Sequence, residues 1–167
     1  AGINRETTIS YEYDDFYRLK GKLLDTAGAL SITTGYTFRE VSHKTSMLVS
    51  SYTSTVSGAS GTTVNSYSYT YDVDGNITQI VDGNGQITSY VYDDLGQLIR
   101  ENIQAQNKTY VYTYDNGGNR TSKRTYAYTT GTLGTATETE SYTYSTGAWK
   151  DQLTQIKKND VVTATFS

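Results

Sequence analysis

Apolar and polar residues alternate along residues 67–120, and the alternation breaks at near-even intervals. Tyr67, Tyr69 and Tyr71 stand two apart, as do Tyr90 and Tyr92, and Tyr110, Tyr112 and Tyr114. Side chains two apart share one face of a strand. Each set is thus an aromatic row with Ser, Thr or Val between, and these residue types suit strands. No helical period is visible in the stretch. Each row ends in Tyr-Asp, two residues and Gly: Tyr71-Asp72 with Gly75, Tyr92-Asp93 with Gly96, and Tyr114-Asp115 with Gly118. An Asp can bond to backbone two residues on and a Gly supplies positive φ, so each break predicts a tight turn. The chain then alternates again, through Ile77, Gln79 and Val81, or Leu98 and Arg100. The unit is a strand, a turn, a return strand and a second turn. Asp82-Gly83-Asn84-Gly85 and Gln106-Asn107-Lys108 read as second turns. The steps from Tyr71 to Tyr92 to Tyr114 are 21 and 22 residues, a period that marks a repeat architecture.

Weaker copies flank these three. Ile9, Tyr11 and Tyr13 lead into Tyr13-Asp14, with Tyr17 where the others have Gly, so that turn needs another shape or carries strain. Residues 19–25 form its return strand and Thr26-Ala27-Gly28-Ala29 the next turn. Residues 31–40 keep Tyr36 and Phe38 but lose the Asp, and residues 41–46 replace the short turn with a longer one. Residues 53–63, rich in Ser, Thr and Gly, predict a surface loop, and residues 130–135 a second flexible turn. Tyr142 and Tyr144 begin a sixth copy, with Ser145 in place of Asp and with Trp149 and Leu153 as apolar anchors. Ile156, Val162 and Phe166 fit a closing hairpin through Lys158-Asn159-Asp160. The anchor rings are Tyr13, Phe38, Tyr71, Tyr92, Tyr114 and Tyr144. The fold class that follows is all-β. Tandem antiparallel hairpins form a continuous, twisted and curved sheet, one repeat domain over residues 1–167. One hairpin cannot bury its own rings, so stacked hairpins are expected to bring the Tyr rows together.

Composition sharpens this picture. Of 167 residues 35% are hydrophobic, yet 17 are Tyr and none is Pro. Low apolar content is a mark of disorder, but the regular alternation opposes it, and the tyrosines must serve as the core. A net charge of −3 without a basic patch gives nucleic-acid binding no support. The absence of Cys excludes disulfides, thiolate metal sites and cysteine catalysis. No signal peptide or membrane span is read. A repeat begins almost at once after Ala1-Gly2-Ile3, and Ala164-Thr165-Phe166-Ser167 has a strand pattern, so the chain reads as a piece of a longer one. An edge strand at each end would invite self-association.

The Tyr-Asp-x-x-Gly-x-Leu pattern resembles the YD repeat of the Rhs family of large bacterial proteins, with similar repeats in teneurins, insecticidal toxin complexes and wall-associated proteins. It is carried best by Tyr71-Asp72 with Gly75-Asn76-Ile77, by Tyr92-Asp93 with Gly96-Gln97-Leu98, and by Tyr114-Asp115 with Gly118-Asn119-Arg120. Tyr13-Asp14 with Arg18-Leu19 matches except at Tyr17. The resemblance implies a spiral shell of hairpins, secreted or at the bacterial cell surface or wall, that encloses a C-terminal effector or toxin domain. Its partners would be the rest of the shell and that domain. The self-cleavage segment of relatives is not found here. Trp149-Lys150-Asp151-Gln152-Leu153 resembles a stretch that precedes it, which would place this piece of wall near the closing end. Carbohydrate binding is a weaker inheritance.

Little in the sequence points to chemistry. His43 is the single histidine, so neither a triad nor a zinc site can be assembled. Residues 72–78 faintly resemble a calcium loop but lack its terminal Glu, and the paired Asp and Asn at these turns are explained by turn capping. Asp74 and Asp94 on neighbouring hairpins are a weak carboxylate pair. Asn76, Asn107 and Asn119 begin glycosylation triplets that a bacterial origin would leave idle. No catalytic residue, metal or cofactor is expected. A scaffold predicts that Tyr69, Tyr71, Tyr92, Tyr112 and Tyr114 are buried in a ladder and that no deep pocket exists. A glycan-binding module predicts exposed rings, with Tyr36, Tyr52, Tyr126 and Tyr142 as the contacts.

Overall fold

The computed structural model describes residues 6–27, 29–58, 61–147 and 149–166. Gly28 of the predicted turn at 26–29, Ala1-Gly2-Ile3 and Ser167 lie outside them. The chain divides into two compact units, residues 1–86 and 87–167, and each is an antiparallel meander. The first holds β1 (Thr8–Tyr13), β2 (Leu19–Asp25), β3 (Leu30–Val41), β4 (Lys44–Gly58), β5 (Gly61–Tyr71) and β6 (Ile77–Asp82), each strand paired with the next. The second holds β7 (Ile87–Tyr92), β8 (Leu98–Ile103), β9 (Lys108–Tyr114), β10 (Arg120–Ala127), β11 (Glu138–Tyr144), β12 (Leu153–Lys158) and β13 (Val161–Thr165), paired likewise. Among the described residues there is no α-helix, only a 3-10 turn at Gln104–Gln106. The all-β class and the hairpin meander are those that the alternation predicts.

Three expectations are corrected. Residues 53–58 and 61–63 are no loop: they belong to β4 and β5, and Thr53 to Ser57 face Ser66 to Thr62 in register; Ala59 and Ser60 of the expected loop lie outside the described residues. Ser and Thr hydroxyls tolerate water, so a strand needs no apolar side chain where its face is open. Residues 41–46 hold no long turn either. Ser42 and His43, at φ 51 and 64, close β3 to β4 in a two-residue turn, the backbone sign that matches the twist of a hairpin. Finally, the Tyr rows are not buried. Tyr69, Tyr71, Tyr92, Tyr112 and Tyr114 are all half-buried, because the hairpins lie side by side in one layer. Cross-strand neighbours wall the rings, and the Arg39 and Arg120 guanidinium groups lie over the Tyr71 and Tyr112 rings at 5.9 and 5.8 Å from the centroids. Most rows do not meet ring to ring: Tyr69 faces Ile80, Tyr90 and Tyr110 face Glu101, and Tyr112 faces Lys123. Tyr36, Tyr52 and Tyr67 do meet, with centroids 5.5 and 6.2 Å apart.

The two faces of the first unit differ. One carries Ile9, Leu24, Ile32 and Val56 in a cross-strand row, with Tyr36, Tyr52 and Tyr67 in another. The other carries Thr37, Ser51 and Ser68 in register. Alternation alone imposes this separation.

Candidate functional site

The repeated feature with defined geometry is the Tyr-Asp turn. In each full copy one carboxylate oxygen of the Asp accepts two backbone amides, from the residues two and four positions on. Asp14 takes Phe16 and Arg18, Asp72 takes Asp74 and Asn76, Asp93 takes Leu95 and Gln97, and Asp115 takes Gly117 and Asn119, all at 2.8–3.0 Å. The Asp amide meanwhile donates to the carbonyl four residues on. The second carboxylate oxygen takes a side chain in three copies: Arg18 Nε at 2.7 Å, Asn76 Nδ2 at 3.0 Å and Asn119 Nδ2 at 3.1 Å. The Asn76 amide lowers the Asp72 pKa, as the Arg18 guanidinium does for Asp14 and the Asn119 amide for Asp115. Asp82 accepts Asn84 and Gln86 in the same way, so the second turn after β6 repeats the device without the Tyr. Ser145 holds only the Gly147 amide.

Gly75, Gly85, Gly96 and Gly118 have φ between 75 and 91°, and Tyr17 has φ 59° at the equivalent place. Tyr17 therefore adopts the common shape and carries the strain.

The anchor ring sits where the hairpin register slips. Tyr71 faces Ile77 while Thr70 faces Gln79, leaving Thr78 as a bulge. Equivalent slips adjoin Tyr13, Phe38, Tyr92, Tyr114 and Tyr144. The bulged residue plugs the gap with a hydroxyl in several hairpins: Thr78 meets Thr70 Oγ1 at 3.2 Å, Thr121 meets Thr113 Oγ1 at 2.8 Å, and Thr154 donates to the Thr143 carbonyl at 3.0 Å. Bulges bend a strand and raise its twist. The phenol then crosses to the preceding strand: Tyr71 donates to the Val49 carbonyl at 2.6 Å, Tyr114 to Leu98 at 2.7 Å and Tyr144 to Arg120 at 3.1 Å. Phe38 lacks a hydroxyl; the Arg18 guanidinium stacks 3.9 Å from its ring centroid instead. Desolvation raises the phenol pKa of Tyr69, Tyr71, Tyr90, Tyr112 and Tyr114. Tyr142, desolvated and donating to Glu140 at 2.5 Å, is pushed up to about 12.

In the second unit, residues 128–137 fold back over one face, correcting the expected flexible turn. Thr109, fully buried, accepts the Thr129 amide at 3.0 Å, and its hydroxyl also lies 3.0 Å from Asn102 Oδ1 and 3.1 Å from the Thr129 carbonyl. Arg100 Nη2 donates to the Thr129 and Gly131 carbonyls, and Arg100 Nε to Asn102 Oδ1. Asn102 Nδ2 reaches Ser89 Oγ at 2.8 Å. The centre of this unit is thus a satisfied polar network, a feature that alternation cannot reveal.

The candidate glycan contacts do not form one cluster. Tyr36 and Tyr52 are neighbours in the first unit, joined by Tyr67, which the sequence reading passed over although it begins a Tyr row. Tyr126 is 8% exposed and offers no free ring face, because the folded-back segment covers its strand. Arg120 covers the half-buried Tyr142 ring at 4.5 Å. A shallow groove of about 540 Å³ lies over the facing glycines Gly21 and Gly35, lined by Glu12, Thr37, Ser51 and Thr53 on the face opposite the Tyr36, Tyr52 and Tyr67 row. Asp74 and Asp94 sit exposed at turn tips. Among the described residues no group of three or more His, Cys, Asp or Glu is placed to hold a metal ion, and no helix is long and apolar enough to cross a membrane. What the turns do chemically is cap and lock hairpins.

Residues 71–102 and 92–132 match the RHS Repeat family. Curated proteins yield no match. Three solved structures are similar. A chain of the Photorhabdus luminescens Tc holotoxin pore aligns over 82% of this chain at 19% identity and TM-score 0.48. A chain of TcdB2-TccC3-TEV aligns over 90% at 18% identity and TM-score 0.47. A chain of TcdB2-TccC3-Cdc42 aligns over 89% at 19% identity and TM-score 0.50. The last likeness is one of fold alone, and the chain spans only 8–9% of the length of these three chains.

Proposed function

We propose that this chain, a member of the YD-repeat (Rhs) family through its repeats at residues 71–132, is a non-enzymatic structural module. It would form part of the wall of a hollow β-shell around a C-terminal effector or toxin domain. The observation that carries this reading is the recurrence of one turn geometry. The Asp box, the adjacent bulge and, at Tyr71, Tyr114 and Tyr144, the phenol that ties the hairpin to the strand before it together make a self-propagating strip. Such a strip needs no pocket and gains nothing from titrating groups in a cleft. Its partners would be the remainder of its own polypeptide and the enclosed domain, in a protein secreted or held at the bacterial surface, with residues 1–167 as one repeat domain. Protease protection of the full-length protein tests the proposal. The C-terminal domain is expected to resist protease inside the intact polypeptide and to be cut quickly once expressed alone. Equal cleavage rates would remove the shell from consideration.

A second reading, a glycan-binding module, is supported by the neighbouring Tyr36, Tyr52 and Tyr67 rings. Tyr142 would be a lesser contact. Calorimetry against cell-wall oligosaccharides, with Tyr36→Ala and Tyr52→Ala as controls, decides it: no heat, or heat unchanged by both variants, ends this reading.

A further inference from the structure

Three tyrosines of the first unit stand apart from the rest. Tyr36 on β3 faces Tyr52 on β4, and Tyr52 faces Tyr67 on β5, so three neighbouring strands each give one ring to a single cross-strand row. The ring centroids are 5.5 and 6.2 Å apart, separations at which paired rings touch. The first pair is tilted by 54°, whereas the second, at 29°, is stacked. Elsewhere the phenols act as ties: Tyr71, Tyr112, Tyr114, Tyr142 and Tyr144 each donate to a protein oxygen. The hydroxyls of Tyr36, Tyr52 and Tyr67 donate to none among the described residues. Tyr36 and Tyr52 are half-buried and Tyr67 is 39% exposed, so a small oxidant reaches the row and the phenol protons pass straight to water.

The chain holds no cysteine. No thiol can therefore quench a tyrosyl radical, and no disulfide can staple the strands. A staple has most to hold between β3 and β4, which run to 12 and 15 residues. Beyond Tyr36 and Tyr52 these strands continue as arms rich in Ser and Thr, with Ser31 to Thr34 facing Ser57 to Ser54. Such arms bury few apolar side chains.

We propose that Tyr36 and Tyr52 are a site of oxidative coupling, joined through their ortho carbons as a dityrosine by a peroxide-driven one-electron oxidant. Each phenol gives one electron to the oxidant and its proton to water, leaving a tyrosyl radical. The two ortho carbons form the new C–C bond. Their two C–H hydrogens then move to the phenoxyl oxygens, and both rings are aromatic again. The net loss is two electrons and two protons, which go to cleave one peroxide O–O bond; from hydrogen peroxide the product is two waters. The tilted pair is the one that couples, because tilted rings bring their edges together where stacked rings present their faces. The link fixes β3 to β4 where the arms begin and removes freedom from the unfolded chain, as a disulfide does.

Photolysis of a ruthenium trisbipyridyl complex with persulfate supplies such an oxidant. At micromolar chain, collisions between copies are rare, whereas two rings held in contact couple within one molecule. The expected product is a monomer lighter by two hydrogens, with dityrosine fluorescence and with the peptides of Tyr36 and Tyr52 joined. Met47, 75% exposed, competes by taking up oxygen, a mass change of the opposite sign. Tyr36→Phe and Tyr52→Phe keep the ring, and each is expected to lower the yield of coupled monomer about tenfold or more. Tyr11→Phe, exposed and outside the row, is expected to leave that yield unchanged. Unfolding in urea is expected to lower it as far as the Tyr52→Phe variant does. Coupling that maps to another pair, that forms only between copies, or that survives in Tyr52→Phe overturns the proposal. So does an equal yield from the unfolded chain. None of these outcomes bears on whether the module is shell wall, which protease protection decides.

Discussion

At the scale of the residue, the Tyr-Asp turn works because one carboxylate does what the backbone cannot. After a two-residue tip, the amides two and four positions beyond the Asp point inward and need one shared acceptor. A carboxylate oxygen satisfies both. The copies differ in what they add. Asn76 and Asn119 reach the second oxygen; Gln97, one methylene longer, does not, and its side-chain oxygen is buried without a partner. Gln97→Asn is therefore expected to stabilise the chain by about 0.5–1 kcal/mol, one hydrogen bond gained and one orphan removed. Tyr17→Gly is expected to stabilise by about 0.5–1 kcal/mol, since relief of a left-handed side chain exceeds the added freedom of unfolded Gly. Urea midpoints of the two variants decide the matter; a midpoint below the parent's for Tyr17→Gly would show that the ring holds contacts worth more than its strain.

At the scale of the element, the hairpin was legible and its surroundings were not. Tyr-x-Tyr rows and Asp-x-x-Gly turns specify local geometry through side-chain parity and backbone sign, so Tyr71 to Ile77 and Tyr92 to Leu98 could be placed from the sequence. The Ser- and Thr-rich arms of β4 and β5 could not, since a strand open to water on one face selects against nothing polar. Bulges at Thr78, Thr121 and Thr154 were also invisible, because an extra residue shifts register without changing composition. The segment at 128–137 was misread for a different reason: its docking depends on Arg100, Asn102 and Thr109, all distant in sequence. Thr109 is the test of that docking. Thr109→Val keeps shape but deletes a buried hydroxyl that serves the Thr129 amide, and is expected to cost about 2 kcal/mol. Hydrogen exchange at Thr129 is expected to quicken more than exchange within β5. Uniform quickening throughout the chain would mean that the network holds the whole sheet and not this segment.

At the scale of the molecule, each unit's single layer of strands must stabilise itself without a conventional core, and tyrosine answers that need with a ring to wall a neighbour and a phenol to reach a carbonyl or carboxylate. This choice has a signature in pH. The phenols of Tyr69, Tyr71, Tyr90, Tyr112, Tyr114 and Tyr142 are raised above 10.0, first by desolvation, Tyr142 to about 12. A group whose folded pKa is raised contributes stability below its unfolded pKa and loses it as pH climbs through the folded one. Between pH 10 and about 12 the unfolded chain ionises while the fold holds its phenols neutral, so unfolding is drawn forward. The acid limb has the opposite origin. Asp14, Asp72 and Asp115 are lowered below 3.8 by the hydrogen bonds of their turns, so their contribution is present above that value and is lost as pH falls beneath it. The urea midpoint is therefore expected to hold level from about pH 5 to 9 and to drop on both sides. Tyr142→Phe isolates one phenol: it removes the titration but keeps the ring under Arg120. Its alkaline limb is expected to fall less steeply than the parent's, with the acid limb unchanged. If the two alkaline limbs coincide, Tyr142 is as free to ionise in the fold as out of it, and alkaline lability must be sought in the other tyrosines.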